Sequence, residues 1–279
     1  MSRITILART VLLTLVAGVS VLAACAEPWR LAAAGLQGKG ASRITTLLLT
    51  ALGGDAAVSR LKSLTIDGSY LSTAGGGRHT ATFRILVLFP DRFQISERMS
   101  APDGQPAEKA MTLDGNVGWF GGRMRAAASG TSADEAMRVA ARTEYLRTIS
   151  LVLPVAPTGG LLTMSETASL LPGFPRGRTL DVGGPDGPVG QLVLDAQSHL
   201  PAELRFQRAS LIGGTSESVW RASDHRPVSG LMLPFRMTKG SAGTVVQTWT
   251  VLRYAVNAPL DIAQFKQPNP AALRREPIR

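Results

Sequence analysis

One cysteine, Cys25, stands in a chain of 279 residues. An internal disulfide and a thiolate-based metal site both need more than one, so neither is available. There are three histidines (His79, His199, His225), and none has metal-ligand spacing with another histidine, a cysteine or a carboxylate. The hydrolase signature G-x-S-x-G, the Walker A loop and the dinucleotide fingerprint are all missing. No cofactor, no metal and no catalytic residue are expected, and the chain reads as a non-enzyme. A run long enough to cross a bilayer is lacking too. The segment Thr10 to Leu22 is roughly 13 residues, against the ~20 a spanning helix needs.

That short segment is informative for where it stops. Arg3 and Arg9 precede it, and it closes on Leu22-Ala23-Ala24-Cys25, the three-part pattern of an export signal over residues 1–24. The closing tetrapeptide resembles the lipobox of bacterial lipoprotein precursors, which implies cleavage before Cys25 and acylation of its sulfur. Ordinary cleavage at an A-x-A site such as Ala24-Cys25-Ala26 is the alternative. By resemblance to such lipoproteins, Ala26 in place of an aspartate points to the outer membrane. The expected location is the periplasmic face of the envelope, held by an N-terminal lipid anchor.

Removing the signal leaves about 255 residues, room for one large β domain or two small ones. Apolar residues at 44% support a sizeable core, and charged residues at only 18% argue against a disordered chain. The net charge of +10 is carried mostly by scattered arginines. For an exported chain it suits anionic lipid headgroups better than nucleic acid, and no nucleic-acid partner is expected.

Residues 25–40 are Gly/Ala-rich and read as a tether. Ile44, Leu47, Leu48 and Leu52 then repeat at helical spacing up to Gly53-Gly54, and a short helix follows from Asp55, taken as its N-cap, to Leu61. Strands are expected at 63–71, 80–89, 92–99, 107–113 and 117–120. Ser132-x-x-Glu135 is a capping-box signature opening a long helix, with Met137, Ala141, Tyr145 and Ile149 on one face and Arg138, Arg142 and Arg147 elsewhere. Pro154 and Pro157 end it. Residues 155–177 read as a loop with a helical piece near Ser165 to Leu171. Strands resume at 178–182, 189–195, 202–209, 216–224, 231–240 and 244–256. A single domain over residues 41–268 and a loose basic tail at 269–279 complete the organisation.

Short motifs in order carry a family resemblance. They are Ala51-Leu52-Gly53-Gly54 with Leu61-Lys62-Ser63-Leu64, Phe89-Pro90-Asp91-Arg92-Phe93, and Leu113-Asp114-Gly115 leading to Trp119. Leu194-Asp195 with Leu200-Pro201, Val228 to Pro234, and Val256 to Asp261 with Phe265 follow. Together they resemble the lipoprotein-carrier superfamily of LolA and LolB. The resemblance implies a mainly β (α+β) fold, a strongly curved antiparallel sheet forming an open half-barrel with helices on its concave face. It also implies an apolar cavity for lipid or lipoprotein acyl chains, and a lipid-carrying chain is closer to LolB, or to the lipid-binding lipoproteins of similar fold, than to the soluble LolA.

The side chains expected to line that cavity are Phe83, Ile85, Val87, Phe93, Ile95, Trp119, Leu204, Phe206, Trp220, Phe235 and Trp249, with core packing as the alternative for each. The helix near 132–153 and the 155–177 loop would gate it. A sensor or scaffold lipoprotein that binds another envelope protein, as RseB does, is the second hypothesis. An envelope hydrolase using His225 is the third.

Overall fold

The computed structural model of the protein describes residues 43–74, 77–100, 106–122, 131–167, 178–209, 215–241 and 243–266. The export signal, Cys25, the tether, the tail and the 168–177 part of the loop lie outside these residues.

Helix α1 (Arg43–Ala51) buries Ile44 and Leu48 one turn apart, and Leu52 follows on the same side. The chain then reverses at Gly53, where φ is +120° and a Cβ would sit 2.1 Å from the Gly230 carbonyl oxygen. Only glycine fits that approach. Helix α2 (Asp55–Val58) is shorter than expected, and Asp55 is its first helical residue; Gly54 occupies the cap position. Twelve strands follow among the described residues. They are β1 (Ser63–Ser72), β2 (His79–Leu88), β3 (Arg92–Ser100), β4 (Pro106–Asp114), β5 (Val117–Gly122), β6 (Thr163–Glu166), β7 (Thr179–Gly184), β8 (Gly187–Leu194), β9 (Pro201–Ala209), β10 (Thr215–Val228), β11 (Leu231–Ser241) and β12 (Thr244–Val256). Helix α3 (Thr131–Val152) stands between β5 and β6, and a 3-10 turn (Ile262–Phe265) follows β12.

The strands form one sheet in the order β5-β4-β3-β2-β1-β12-β11-β10-β9-β8-β7-β6, with antiparallel neighbours throughout. β6 was not expected. Ser165 and Glu166, read as the start of a helical piece, belong to it and pair with Asp181 and Leu180.

Curvature follows from one side chain. The buried Arg142 of α3 donates to Asn116 in the β4–β5 turn at 2.8 Å and lies 3.3 Å from Asp186 in the β7–β8 turn. β4 and β8 are eight places apart in the sheet, and at about 4.8 Å per strand a flat sheet would separate them by roughly 38 Å. A single guanidinium spans the gap because the sheet curls until its two ends meet across α3. Among the described residues β5 and β6 are the two edges and do not pair with each other, so the barrel is open.

Helix α3 lies inside the curl. Ala141, Tyr145 and Ile149 are fully buried at i, i+4 spacing, as their pattern requires, and Met137 is partly buried. The helix comes so close to β5 that a Cβ on Gly118 would stand 2.5 Å from the Arg138 Cα. Tyr145 fixes the other side by donating its hydroxyl to the Pro90 carbonyl at 2.7 Å. The helix begins at Thr131, one residue before the expected cap, and Glu135 pairs with Arg138.

Candidate functional site

Strand register decides which candidate side chains meet. Ile66, Ile85 and Ile95 are cross-strand partners, so Phe83, Ile85, Val87, Phe93 and Ile95 share the face that α3 covers. On the other half of the sheet, Leu204 pairs with Trp220 and Phe206 with Ser218, while Trp249 pairs with Tyr70 and Met237. All of these candidates are buried. Phe235 is only partly covered, packs edge-on against Tyr254 with ring centroids 5.3 Å apart, and lies beneath the Arg226 guanidinium.

Trp119 is on the opposite face. It pairs with Thr112, which pairs with Gln94, one residue out of step with Leu113 and Phe93. The indole N–H points to the Phe265 carbonyl at 3.4 Å, and the 3-10 turn covers it. Its burial belongs to that small outer cluster.

Aromatic rings from both halves meet at the floor under α3. Trp249 stacks on Tyr70 at 4.6 Å and against Phe83 at 4.4 Å, and Phe206 meets Trp220 edge-on at 5.3 Å. The space left between floor and helix is about 10 Å³, lined by Ile85, Thr148, Leu151, Trp220, Met237, Lys239 and Trp249. A volume of this size holds about one water molecule. The end of α3 and the residues after it pack inward: Leu151, Val152, Leu153, Val155 and Ala156 are buried against the core. A second hollow lies elsewhere, an open groove of about 570 Å³ across the uncovered face, where Asp67 is held between Arg84 and Arg253.

Charge enters the covered side at two places that periodicity did not single out. Arg142 is one of them, although helix spacing put it away from the packed face. The other is Lys239, whose ammonium lies 3.8 Å from the Trp220 ring centroid, 4.2 Å from that of Trp249 and 3.4 Å from the Glu144 carboxylate on α3. Arg147 stacks 3.7 Å over Phe206 on the neighbouring ring. Burial pushes the Arg147 guanidinium below its ordinary value, Glu144 opposes that shift, and Arg208 adds to it. For Lys239 the signal was present in the sequence: it continues the inward alternation Leu231, Leu233, Phe235, Met237.

The histidines sit apart in the chain, at the start of β2 (His79), in the turn before β9 (His199) and within β10 (His225). The Nε2 of His225 is buried and has no hydrogen-bond partner among the described residues. No group of three or more His, Cys, Asp or Glu is placed to hold a metal among the described residues, and none of the described helices is long and apolar enough to cross a membrane.

No protein-family description matches the chain, and no curated protein matches its sequence. Solved structures are similar to it. One is a LolA superfamily protein from Nitrosomonas europaea, 11% identical, with 79% of this chain and 96% of that one covered at a TM-score of 0.46. A second, described as an outer-membrane lipoprotein-sorting protein domain from Vibrio parahaemolyticus, is 10% identical, with 76% and 92% covered at 0.42. A DUF1329 family protein from Desulfovibrio piger is 9% identical, with 81% and 96% covered at 0.41. These likenesses include the superfamily that the turn motifs resemble, and at such identities and scores they assign no activity to this chain.

Proposed function

We propose that this protein is an envelope lipoprotein that binds lipid or lipoprotein acyl chains between α3 and the curled sheet, for carriage or localisation. The carrying observation is the aromatic and aliphatic floor built from both halves of the sheet and roofed by one helix. Methylene groups entering that space exchange water for apolar contacts, at about 0.8 kcal/mol each. A volume of about 10 Å³ does not admit a chain, so uptake requires α3 to lift from Ile85, Trp220 and Trp249. No covalent step is involved. In this reading Cys25 carries the lipid that holds the protein at the periplasmic face of the outer membrane.

The test is titration of lipid-stripped protein with a fluorescent fatty acid and a fluorescent phospholipid. Saturable, stoichiometric uptake is expected, and absence of uptake of either would sink the reading. Mass spectrometry of the mature N-terminus checks Cys25, where an acylated cysteine is expected. The tightly filled interior favours one alternative, a scaffold that binds another envelope protein on its surface. Stoichiometric capture of such a protein without co-purifying lipid would support that alternative.

A further inference from the structure

The seam where α3 meets β9, β10 and β11 holds more positive charge than its carboxylates balance. Glu144 and Arg147 lie one turn apart on α3, and Lys239 reaches Glu144 from β11. The Lys239 and Glu144 side chains are only 15% and 17% exposed. Arg147 has no ion-pair partner among the described residues, and its Nε is buried without a hydrogen bond there. Its cation rests on Phe206, which touches Trp220, and Trp220 in turn carries the Lys239 ammonium. Two cations therefore sit on adjacent rings with one carboxylate between them. Cation–π contact of this kind offsets only part of the desolvation of a buried guanidinium.

One of these rings borders the apolar space beneath α3, since Trp220 lines it together with Lys239. Apolar surface on one side and surplus positive charge on the other match an amphiphile with an anionic head. We propose that Arg147 and Lys239 form the headgroup site for an acyl amphiphile, donating hydrogen bonds to its carboxylate or phosphate oxygens while the chain lies against Ile85, Trp220 and Trp249. Glu144 occupies Lys239 in the closed form and is displaced by the incoming head. This deepens the acyl-binding reading and rests on it. The ion pair then works as a latch, because the group that opens the helix seam is the group that replaces Glu144.

The experiment compares oleate with oleyl alcohol, which has the same chain and no charge, on the lipid-stripped full-length protein. Inorganic phosphate alone is a third arm. Binding is read by calorimetry and by the fluorescence of the indoles under Lys239. Wild type should bind oleate about ten-fold tighter than the alcohol, a difference of about 1.4 kcal/mol. Lys239→Gln and Arg147→Gln should each erase most of that preference by weakening oleate far more than the alcohol, and Arg147→Lys should retain it. Glu144→Gln should tighten oleate about three-fold or more, because it removes the competing carboxylate. A residue with a purely structural role would not produce that gain.

Equal affinity for oleate and alcohol in wild type would overturn the headgroup site and leave the acyl reading standing. Failure of both to bind would overturn the acyl reading and this site with it. Phosphate binding as tightly as oleate would overturn the amphiphile assignment in favour of a free oxyanion.

Discussion

Arg142 on α3 and Asp186 in the β7–β8 turn lie 3.3 Å apart, and the same guanidinium also bonds Asn116 at 2.8 Å. This contact links two turns from opposite ends of the sheet. Arg138 reinforces it, 3.0 Å from the other Asp186 oxygen. Replacing Arg142 by alanine removes the link to Asn116 while leaving Asp186 with Arg138. The expected loss is about 2–3 kcal/mol, below the range for a buried pair broken outright. Urea denaturation measures it, and an unchanged midpoint would mean that the two ends are held by packing alone.

Gly53 and Gly54 separate backbone strain from steric exclusion. Both have positive φ, but a Cβ on Gly53 meets the Gly230 carbonyl at 2.1 Å, whereas nothing lies within 4 Å of one on Gly54. Gly54→Ala should cost about 1–3 kcal/mol through backbone conformation alone, because φ 81° with ψ 171° is a region that essentially only glycine adopts. Gly53→Ala must also separate α1 from the turn that leads into β11, and should be the more damaging by at least about 2 kcal/mol. Thermal melting of the two variants side by side checks the order.

Trp119 and Trp249 should differ in what they control. Trp249→Ala opens the floor beneath α3 and should weaken fluorescent fatty-acid binding by about ten-fold or more. Trp119→Ala removes the indole under Phe265, on the other face. It should lower stability by about 3 kcal/mol or more and leave acyl affinity within about two-fold. Equal binding losses at both positions would contradict the facial assignment.

Burial holds the His225 imidazole below its ordinary value near 6.5, while Asp195 and Asp224 pull the other way. The unfolded chain therefore takes up this proton more readily than the native one. The contribution to stability is complete above the unfolded value, and it falls as pH drops through about 6.5 toward the native value. Denaturant midpoints between about pH 7.5 and 5.5 should decline in wild type and flatten in His225→Gln, a window above the ordinary carboxylate range.

Eleven of the twelve strands were readable in the sequence because each alternates or is bounded by a turn such as Pro90-Asp91 or Asp114-Gly115. β6 escaped notice because Thr163-Met164-Ser165-Glu166 is an exposed edge with no apolar face to betray it. Periodicity found the buried stripe of α3 correctly through Ala141, Tyr145 and Ile149, yet it counted Arg142 with the outward residues. A curled sheet covers more of a helix than a flat one does, so side chains beyond the apolar stripe also become buried. For Trp119 the fault was parity. Whether a strand residue faces in or out depends on its register with neighbours, and on either side of Trp119 the inner positions are Gly118, which has no side chain, and Phe120, which is exposed near the sheet edge, so neither marks the inner face. The polar seam of Glu144, Arg147 and Lys239 joins a helix to a strand nearly a hundred residues away, a distance no local pattern spans.

The pairing of β1 with β12 has a consequence for how the chain comes to exist. The first and last strands are neighbours at the middle of the sheet, with Leu64 opposite Val256 and Ser72 opposite Gln247. A chain emerging from its amino end can assemble β1 to β5 as one meander, but the junction with the other half must wait for the final strand. Until then both halves expose an unpaired central edge, the kind of surface that recruits foreign strands. Nascent copies of this protein are therefore most vulnerable to mispairing until β12 has emerged, and a chaperone that shields sheet edges would matter most up to that moment.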